Sequence, residues 1–421
     1  MSVFRAALLG LLGLCGCVAA VAQTPNIVLL TTYVVPPARL ASLQAAALQA
    51  GVAMQTLSAE QDTLEHLQTA LRSASLLVLD TPHPSVAQTA AARFGGVINQ
   101  SSKPYVMVGE FAAVAKNERL AAAPLKTDSG VSLEWAQRLR EYWRFGGAQN
   151  MRLAMQALKN AATQTTDAMP PAVQLPLQGF YNPTWPQIEN NAAAALKNLE
   201  NSTFYQLNTP LAQSIRVQTA INTEAPKTVA IAVNNAVFTS NDTPWLDAMI
   251  TALERRGLRA YAFYGPRQQK DLFHQATHIS TATGQQRRAD VIINSALVFN
   301  PTERKAELER IGVPVLQTMP ALAMDPVQWA QSKDGLALSD VAYYYTPSEL
   351  LGLVDPLLIT ARNAKTGALE PISQQINAVA DKAAALARLQ SAPTAQRRVA
   401  MMVYNYPQGE GNFGASFLNV P

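Results

Sequence analysis

The sequence predicts an α/β protein with two or more doubly wound parallel-sheet domains, joined by helical and proline-rich segments. Three observations carry that expectation. Short runs of Val, Leu and Ile recur, among them "NIVLLTT", "SLLVLD", "TVAIAV" and "ADVIINS". They are apolar at successive positions rather than alternate ones, the mark of strands covered on both faces. Helical stretches separate them, which implies crossover connections and a parallel sheet. The chain has 421 residues, 48% hydrophobic and 15% charged, too long for one small core and too apolar for disorder.

The elements follow in order. Asn26–Thr32 reads as the first strand. Pro36 and Pro37 open a helix that runs through Ala50 and ends at Gly51. Val52–Leu57, Ser75–Asp80 and Pro104–Gly109 continue the alternation, and a first α/β domain is expected over 24–127. Residues 128–227 form a helical and proline-rich linking region. Within it, Ser129 to Thr166 is mostly helical. Pro170 to Gln187 carries five prolines in eighteen residues and is expected to be a linker without regular structure, packed by Phe180, Tyr181 and Trp185. A second α/β domain is expected over 228–370. There Thr243 caps and Pro244 starts a helix whose Trp245, Met249, Ile250 and Leu253 share one face. Strands follow from Arg259, Ala289 and Val313. In 371–421, Gln374–Leu389 is a helix and Arg398–Tyr404 begins a further strand system.

The first residues read as a targeting segment, not as fold. Arg5 supplies a positive flank, Ala6–Val21 is an apolar run, and Ala20-Val21-Ala22 fits a small-x-small cleavage rule. Residues 1–22 are therefore expected to be a signal peptide, and the protein periplasmic. A partial lipoprotein box at Leu14-Cys15-Gly16-Cys17 is the alternative. No other segment is apolar for long enough to cross a bilayer. Both cysteines fall in this leader, which excludes an intrachain disulfide, a thiolate metal site and a cysteine nucleophile from the mature chain. A net charge of +4 spread along the chain does not point to a nucleic-acid partner.

Several chemistries are absent by motif. There is no G-x-x-x-x-G-K-[ST], hence no visible ATP site, and neither G-x-S-x-G nor H-E-x-x-H occurs. Gly409-Glu410-Gly411-Asn412-Phe413-Gly414 spells G-x-G-x-x-G after a strand. The helix and acidic residue a dinucleotide site needs do not follow it, so it reads as backbone suited to close approach of a ligand. Of the four histidines, His83 follows the strand ending in Asp80, at the sheet edge where α/β proteins place ligands. It is the one metal candidate, against a plain loop histidine between prolines. His274 and His278 are spaced to share a helix face but have no third ligand in view. His66 reads as surface. Tyr343-Tyr344-Tyr345 is either a stacking surface for a flat ring or packing.

The final segment, "RRVAMMVYNYPQGEGNFGASFLNVP", resembles the signature of the CobN/magnesium-chelatase H family, the large subunits of cobaltochelatase and magnesium chelatase. The residues that carry it are Asn405, Tyr406, Pro407, Gly409, Gly411, Asn412, Gly414, Leu418, Asn419, Val420 and Pro421. "GFYNPTW" from Gly179, "ADVIINSALVF", "IGVPVLQTM" and "GLALSDVAYYYTPSELLGLVDPLLIT" are also similar to family segments, so the resemblance spans about 176–421. It implies a large subunit that binds a tetrapyrrole, porphyrin or corrinoid, and inserts or removes a divalent metal, cobalt being favoured. It further implies separate AAA+ ATPase subunits as partners. By the same resemblance Asn405, Tyr406, Gly409, Gly411, Asn412, Gly414 and Asn419 are the ligand-binding candidates; no catalytic residue is assigned.

Three departures qualify the resemblance. Asn182 stands where the family has a histidine, and asparagine accepts no proton near neutral pH. Family members continue past the motif, so this chain corresponds to their N-terminal part, completed by further sequence or by a second chain. Export would also separate it from ATP and AAA+ partners. The alternative reading is a periplasmic protein that binds a tetrapyrrole or metal complex without catalysis, or an inactive fragment.

Overall fold

The computed structural model describes residues 24–81, 84–109, 128–165, 168–185, 188, 194–195, 197–198, 226–266, 268–333 and 335–400. Its described residues fall into two compact units. The first holds 24–35, 43–143 and 151–171, the second 36–42, 144–150 and 172–400.

In the first unit the strands are β1 (Asn26–Thr31), β2 (Ala53–Ser58), β3 (Leu76–Thr81), β4 (Tyr105–Gly109) and β5 (Asp128–Ser129). They form a five-stranded sheet in the order β2-β1-β3-β4-β5. The first four are parallel, and β5 pairs antiparallel with β4. The crossovers are helices α1 (Pro37–Ala50), α2 (Leu64–Ser73) and α3 (Pro84–Gln100), with α4 (Leu133–Phe145) and α5 (Gly147–Thr163) after β5. Thr63 caps α2 by accepting the His66 N–H at 3.2 Å. Val28, Leu30, Leu77, Leu79, Met107 and Phe94 pack into one core cluster.

The second unit is built around a seven-stranded sheet in the order β14-β13-β12-β11-β7-β8-β6. Its strands are β6 (Gly179–Tyr181), β7 (Thr228–Ala232), β8 (Arg259–Tyr264), β11 (Val291–Asn294), β12 (Val315–Ala321), β13 (Val354–Arg362) and β14 (Leu369–Pro371). Strands β7, β8, β11, β12 and β13 are parallel, and β6 and β14 are antiparallel edges. A separate hairpin pairs β9 (His278–Thr281) with β10 (Gly284–Arg287). The helices of this unit include α6 (Ala236–Thr239), α7 (Pro244–Glu254), α8 (Leu272–Thr277), α9 (Pro301–Ile311), α10 (Pro326–Gln331) and α11 (Ser373–Ser391). Alternation along β7 and β8 splits the core between the two sheet faces. Val229, Ile231, Ala260 and Ala262 pack with α7 and α11, while Ala230, Ala232, Tyr261 and Phe263 pack with α8 and α9. The mixed-helix, parallel-sheet architecture matches the fold class expected from the apolar runs.

Some local expectations are corrected. The proline-rich stretch does hold a strand: β6 pairs with β8 between flanking prolines, and Phe180 is fully buried. Gly179 makes this possible, since a Cβ there would lie 2.5 Å from the Tyr264 hydroxyl. Thr243 does not cap α7 through its side chain; its hydroxyl donates to Asp247 Oδ2 at 3.3 Å instead. Trp245, Met249, Ile250 and Leu253 of α7 are all buried, as its periodicity requires. Arg398, Val399 and Ala400 are in no strand, and the rest of that expected strand, 401–404, lies outside the described residues. Among the described residues no helix is long and apolar enough to cross a membrane.

Candidate functional site

His83 and the motif residues Asn405, Tyr406, Gly409, Gly411, Asn412, Gly414 and Asn419 lie outside the described residues. Asp80, the acidic neighbour of His83, is buried at the C-terminal end of β3. His66 sits on the surface with its Nδ1 3.0 Å from Asp62. His274 and His278 do come together, but not on one helix. Helix α8 stops at Thr277, His278 begins β9, and the two rings stack at 4.0 Å and 11°. Burial and the neighbouring His274 push the His278 imidazole down. Among the described residues no three His, Cys, Asp or Glu side chains converge as a metal site.

Asn182 is a structural pin. Its side-chain amide donates to Glu254 Oε1 at 2.9 Å and to the Ala260 carbonyl at 3.0 Å. Its Oδ1 accepts from the Thr184 N–H at 2.9 Å and the Thr184 hydroxyl at 2.7 Å. Every donor and acceptor of this buried amide is used, which leaves no free group for chemistry.

A cleft of the second unit lies at the carboxyl ends of its parallel strands. Its sheet reverses order between β7 and β11, the switch point where open α/β sheets bind ligands. The loops after β7 and β11 and the ends of β12 and β13 line a cavity of about 210 Å³. Pro320 has no N–H for the ladder, and register shifts fall between Leu316 and Thr318 and between Met319 and Pro320. Met319, Pro320, Ile359 and Trp245 give the wall an apolar surface; Asp242, Ser295, Thr318 and Arg362 give it polarity. Tyr344, in a single π-helical turn, also lines it, while Tyr343 is exposed.

The polar wall is partly interlocked. Thr318 donates to the Asn294 carbonyl at 3.3 Å and shares a hydrogen bond with Ser295. Asn294 Nδ2 donates to Gln317 Oε1 at 2.8 Å, and Gln317 Nε2 to the Thr318 carbonyl at 2.8 Å. Arg362 donates from Nε to the Leu322 carbonyl (3.1 Å) and from Nη1 to the Gly367 carbonyl (2.8 Å). Burial pushes its guanidinium down, against the charge of Asp242. Burial pushes the Asp242 carboxyl up, while the Leu369 N–H at 3.1 Å and Arg362 pull it back. The buried indole N–H of Trp245 has no acceptor among the described residues. Such a wall can orient a small polar group.

Of these residues, the sequence had marked only Trp245 and the tyrosine run, and for packing or stacking. Most of the cavity residues sit on the C-terminal part of a parallel strand or on the loop or crossover that follows it, and that position is the signal that points to them.

A family model described as CobN/Magnesium Chelatase matches residues 140–421. The chain is 28% identical over 204 residues to the aerobic cobaltochelatase subunit CobN of a Sinorhizobium species, covering 45% of this chain and 16% of that protein. It is 27% identical over 131 residues to the chloroplastic magnesium-chelatase subunit ChlH of Oryza sativa subsp. indica, covering 30% and 9% respectively. The fold is similar to that of the catalytic subunit of cobaltochelatase from Mycobacterium tuberculosis. That match has a TM-score of 0.58 at 18% identity and covers 89% of this chain and 28% of the other. The chain thus spans less than a third of the length of each of these proteins.

Proposed function

Because the chain belongs to the CobN/magnesium chelatase family, we propose that it is part of a chelatase-type large subunit that binds a tetrapyrrole and inserts or removes its divalent metal. The family match over residues 140–421 carries this reading. Cobalt is the favoured ion, on the similarity to the cobaltochelatase subunit CobN. Contacts to the ring are assigned to Asn405, Tyr406, Gly409, Gly411, Asn412, Gly414 and Asn419. Glycines in such a loop let the backbone approach a flat ligand and point N–H groups at it.

The chemistry asks for two things: removal of protons from ring nitrogens, and loss of water from the ion. Further sequence or a second chain supplies the rest of the subunit, and separate ATPase subunits supply the energy. The apolar run Ala6–Val21 supports reading residues 1–22 as a signal peptide and the protein as periplasmic, and export would separate it from such ATPases.

The test is titration of the full chain with a porphyrin and with a corrinoid, following the Soret or corrin band, then assay of metal content. A band shift with metal gained or lost is the expected result. A shift with the ligand recovered unchanged would make the protein a carrier. No shift, even with the downstream segment supplied, would remove the tetrapyrrole reading.

A further inference from the structure

Four basic side chains from four elements of the second unit meet at the open end of the β9–β10 hairpin. They are His274 of α8, His278 of β9, Arg287 of β10 and Arg310 in the last turn of α9. The hairpin register sets His278 directly opposite Arg287. Side chains in such a pair share a face, with Cβ atoms about 5 Å apart, and like charges there weaken the pairing. The His274 ring stacks on that of His278 at 4.0 Å, and the charges of Arg287 and Arg310 both reach His278. The neighbouring carboxylates are already engaged. Asp271 Oδ1 accepts from Arg310 Nη2 at 2.7 Å, with Lys270 beside the same group. Glu307 accepts the His274 N–H on Oε1 at 2.8 Å and pairs with Arg304 through Oε2. The fold thus holds surplus positive charge in one place, an arrangement that marks functional sites.

The donors can be reached from solvent. His274 and His278 are half-buried, and Arg287 and Arg310 are exposed. Among the described residues the Arg287 guanidinium and the His274 ring make no hydrogen bond. His278 Nδ1 lies 3.2 Å from the His274 carbonyl and 3.1 Å from the Thr277 hydroxyl, which gives its own hydrogen to the Phe273 carbonyl at 2.7 Å. Both oxygens accept from Nδ1, so that nitrogen carries a hydrogen and Nε2 is left for a ligand.

The ligand that fits is an acceptor with more than one negative charge. A carboxylate offers one charge and two oxygens. A phosphate group carries about −1.5 to −2 and three strong acceptor oxygens, enough for one guanidinium and two imidazoles at once. We propose that this hairpin end is a seat for a phosphate group, held by Arg287, His274 and His278 within the field of Arg310. The fork of a guanidinium matches phosphate geometry, and such charge-assisted bonds are the strong kind. His278 meets the anion by taking a proton from solvent on Nε2, which the empty site opposes: burial, then the charges of His274, Arg287 and Arg310, push its imidazole down. The phosphate is either the free ion or a group on an organic molecule. The seat does not rest on the tetrapyrrole reading.

The experiment uses the full chain, titrated with inorganic phosphate, methyl phosphate and acetate at one ionic strength, and follows the histidine imidazole C–H signals by NMR. At pH 7 one or both phosphates should bind at least tenfold more tightly than acetate. The His274 and His278 signals should move while those of His66, in the first unit, stay. With the anion bound, the His278 titration midpoint should rise by about one pH unit or more. Sulfate, a dianion with no proton to give in this range, should bind about threefold more tightly at pH 6 than at pH 7.5. Arg287→Gln and His278→Gln should each lower phosphate affinity at least fivefold. Three results overturn the seat: neither phosphate bound by about 10 mM, acetate bound as tightly as phosphate, or native phosphate affinity in both variants. A response of His66 equal to that of the stacked pair overturns it too. Methyl phosphate bound supports the seat with an organic phosphate as its ligand; inorganic phosphate bound and the ester refused supports it with the free ion. None of these outcomes moves the Soret or corrin band, on which the tetrapyrrole reading is tested separately.

Discussion

Glu254 makes the stability of the second unit depend on pH in a direction opposite to that of an ordinary surface carboxylate. It closes helix α7 and is only 3% exposed. Its countervailing contact is the Asn182 amide at 2.9 Å, and burial pushes its carboxyl from an ordinary 4.5 up to about 7. Between those values the folded protein keeps a proton that the unfolded chain has released. The unfolded state then binds fewer protons, so stability falls as pH rises through this window. At about 1.36 kcal/mol per pKa unit, the full loss is about 3 kcal/mol. Glu254→Gln keeps the acceptor for Asn182 and removes the titration. Urea unfolding of both proteins from pH 5 to 8 should show the native chain losing about 2–3 kcal/mol relative to the variant, with the change falling below about pH 7 and the curves parallel above it. Stability curves parallel over the whole range would refute the argument, because they would mean Glu254 titrates alike in both states. Asn182→Ala serves as a cross-check. Removing the Asn182 donor to Glu254 Oε1 should push the carboxyl higher still and lower stability by about 2–4 kcal/mol at neutral pH.

Two other perturbations follow from buried or stacked charge. Arg304 and Glu307 pair within α9 with 7% and 4% of their side chains exposed. Glu307→Ala should therefore cost about 3–5 kcal/mol in thermal or urea unfolding, and replacing both residues by leucine should restore much of it. His278 is held below its ordinary 6.5 by burial and by His274, so the unfolded chain takes up the proton first as pH falls. Protection of the β9–β10 amides in hydrogen exchange should be full above pH 6.5 and decline below it, and His278→Gln should flatten that dependence.

Much of the sheet architecture was legible in the sequence because it depends on short-range pattern. A fully buried parallel strand must be apolar at successive positions, so Asn26–Thr31, Thr228–Ala232 and Val291–Asn294 announce themselves. Helix α7 could be drawn from Pro244 and the spacing of Trp245, Met249, Ile250 and Leu253. The family signature was equally local. Strand β6 was hidden by the prolines around it. What admits it is the antiparallel edge of β8, some eighty residues away, and room against Tyr264 that only a glycine leaves.

The candidate cavity was not legible, and the reason is physical. The segment of Asp242 and Trp245, the strand end with Thr318 and the strand end with Arg362 are far apart in the chain and carry no motif between them. Their convergence depends on strand order, which crossover connections set, and on the register shifts of β12 around Pro320, which re-aim its side chains. Asn182 shows the same division from the other side. By sequence it is the place where a family histidine is missing. Only burial and the four hydrogen bonds around it identify the residue as a pin that locks β6 and β8 to the end of α7. Strand and helix identity, and membership of the family, are local properties of the chain. Which polar groups become buried together, and therefore which ones shift their proton affinity or lack a partner, is decided only when distant segments share one low-dielectric interior.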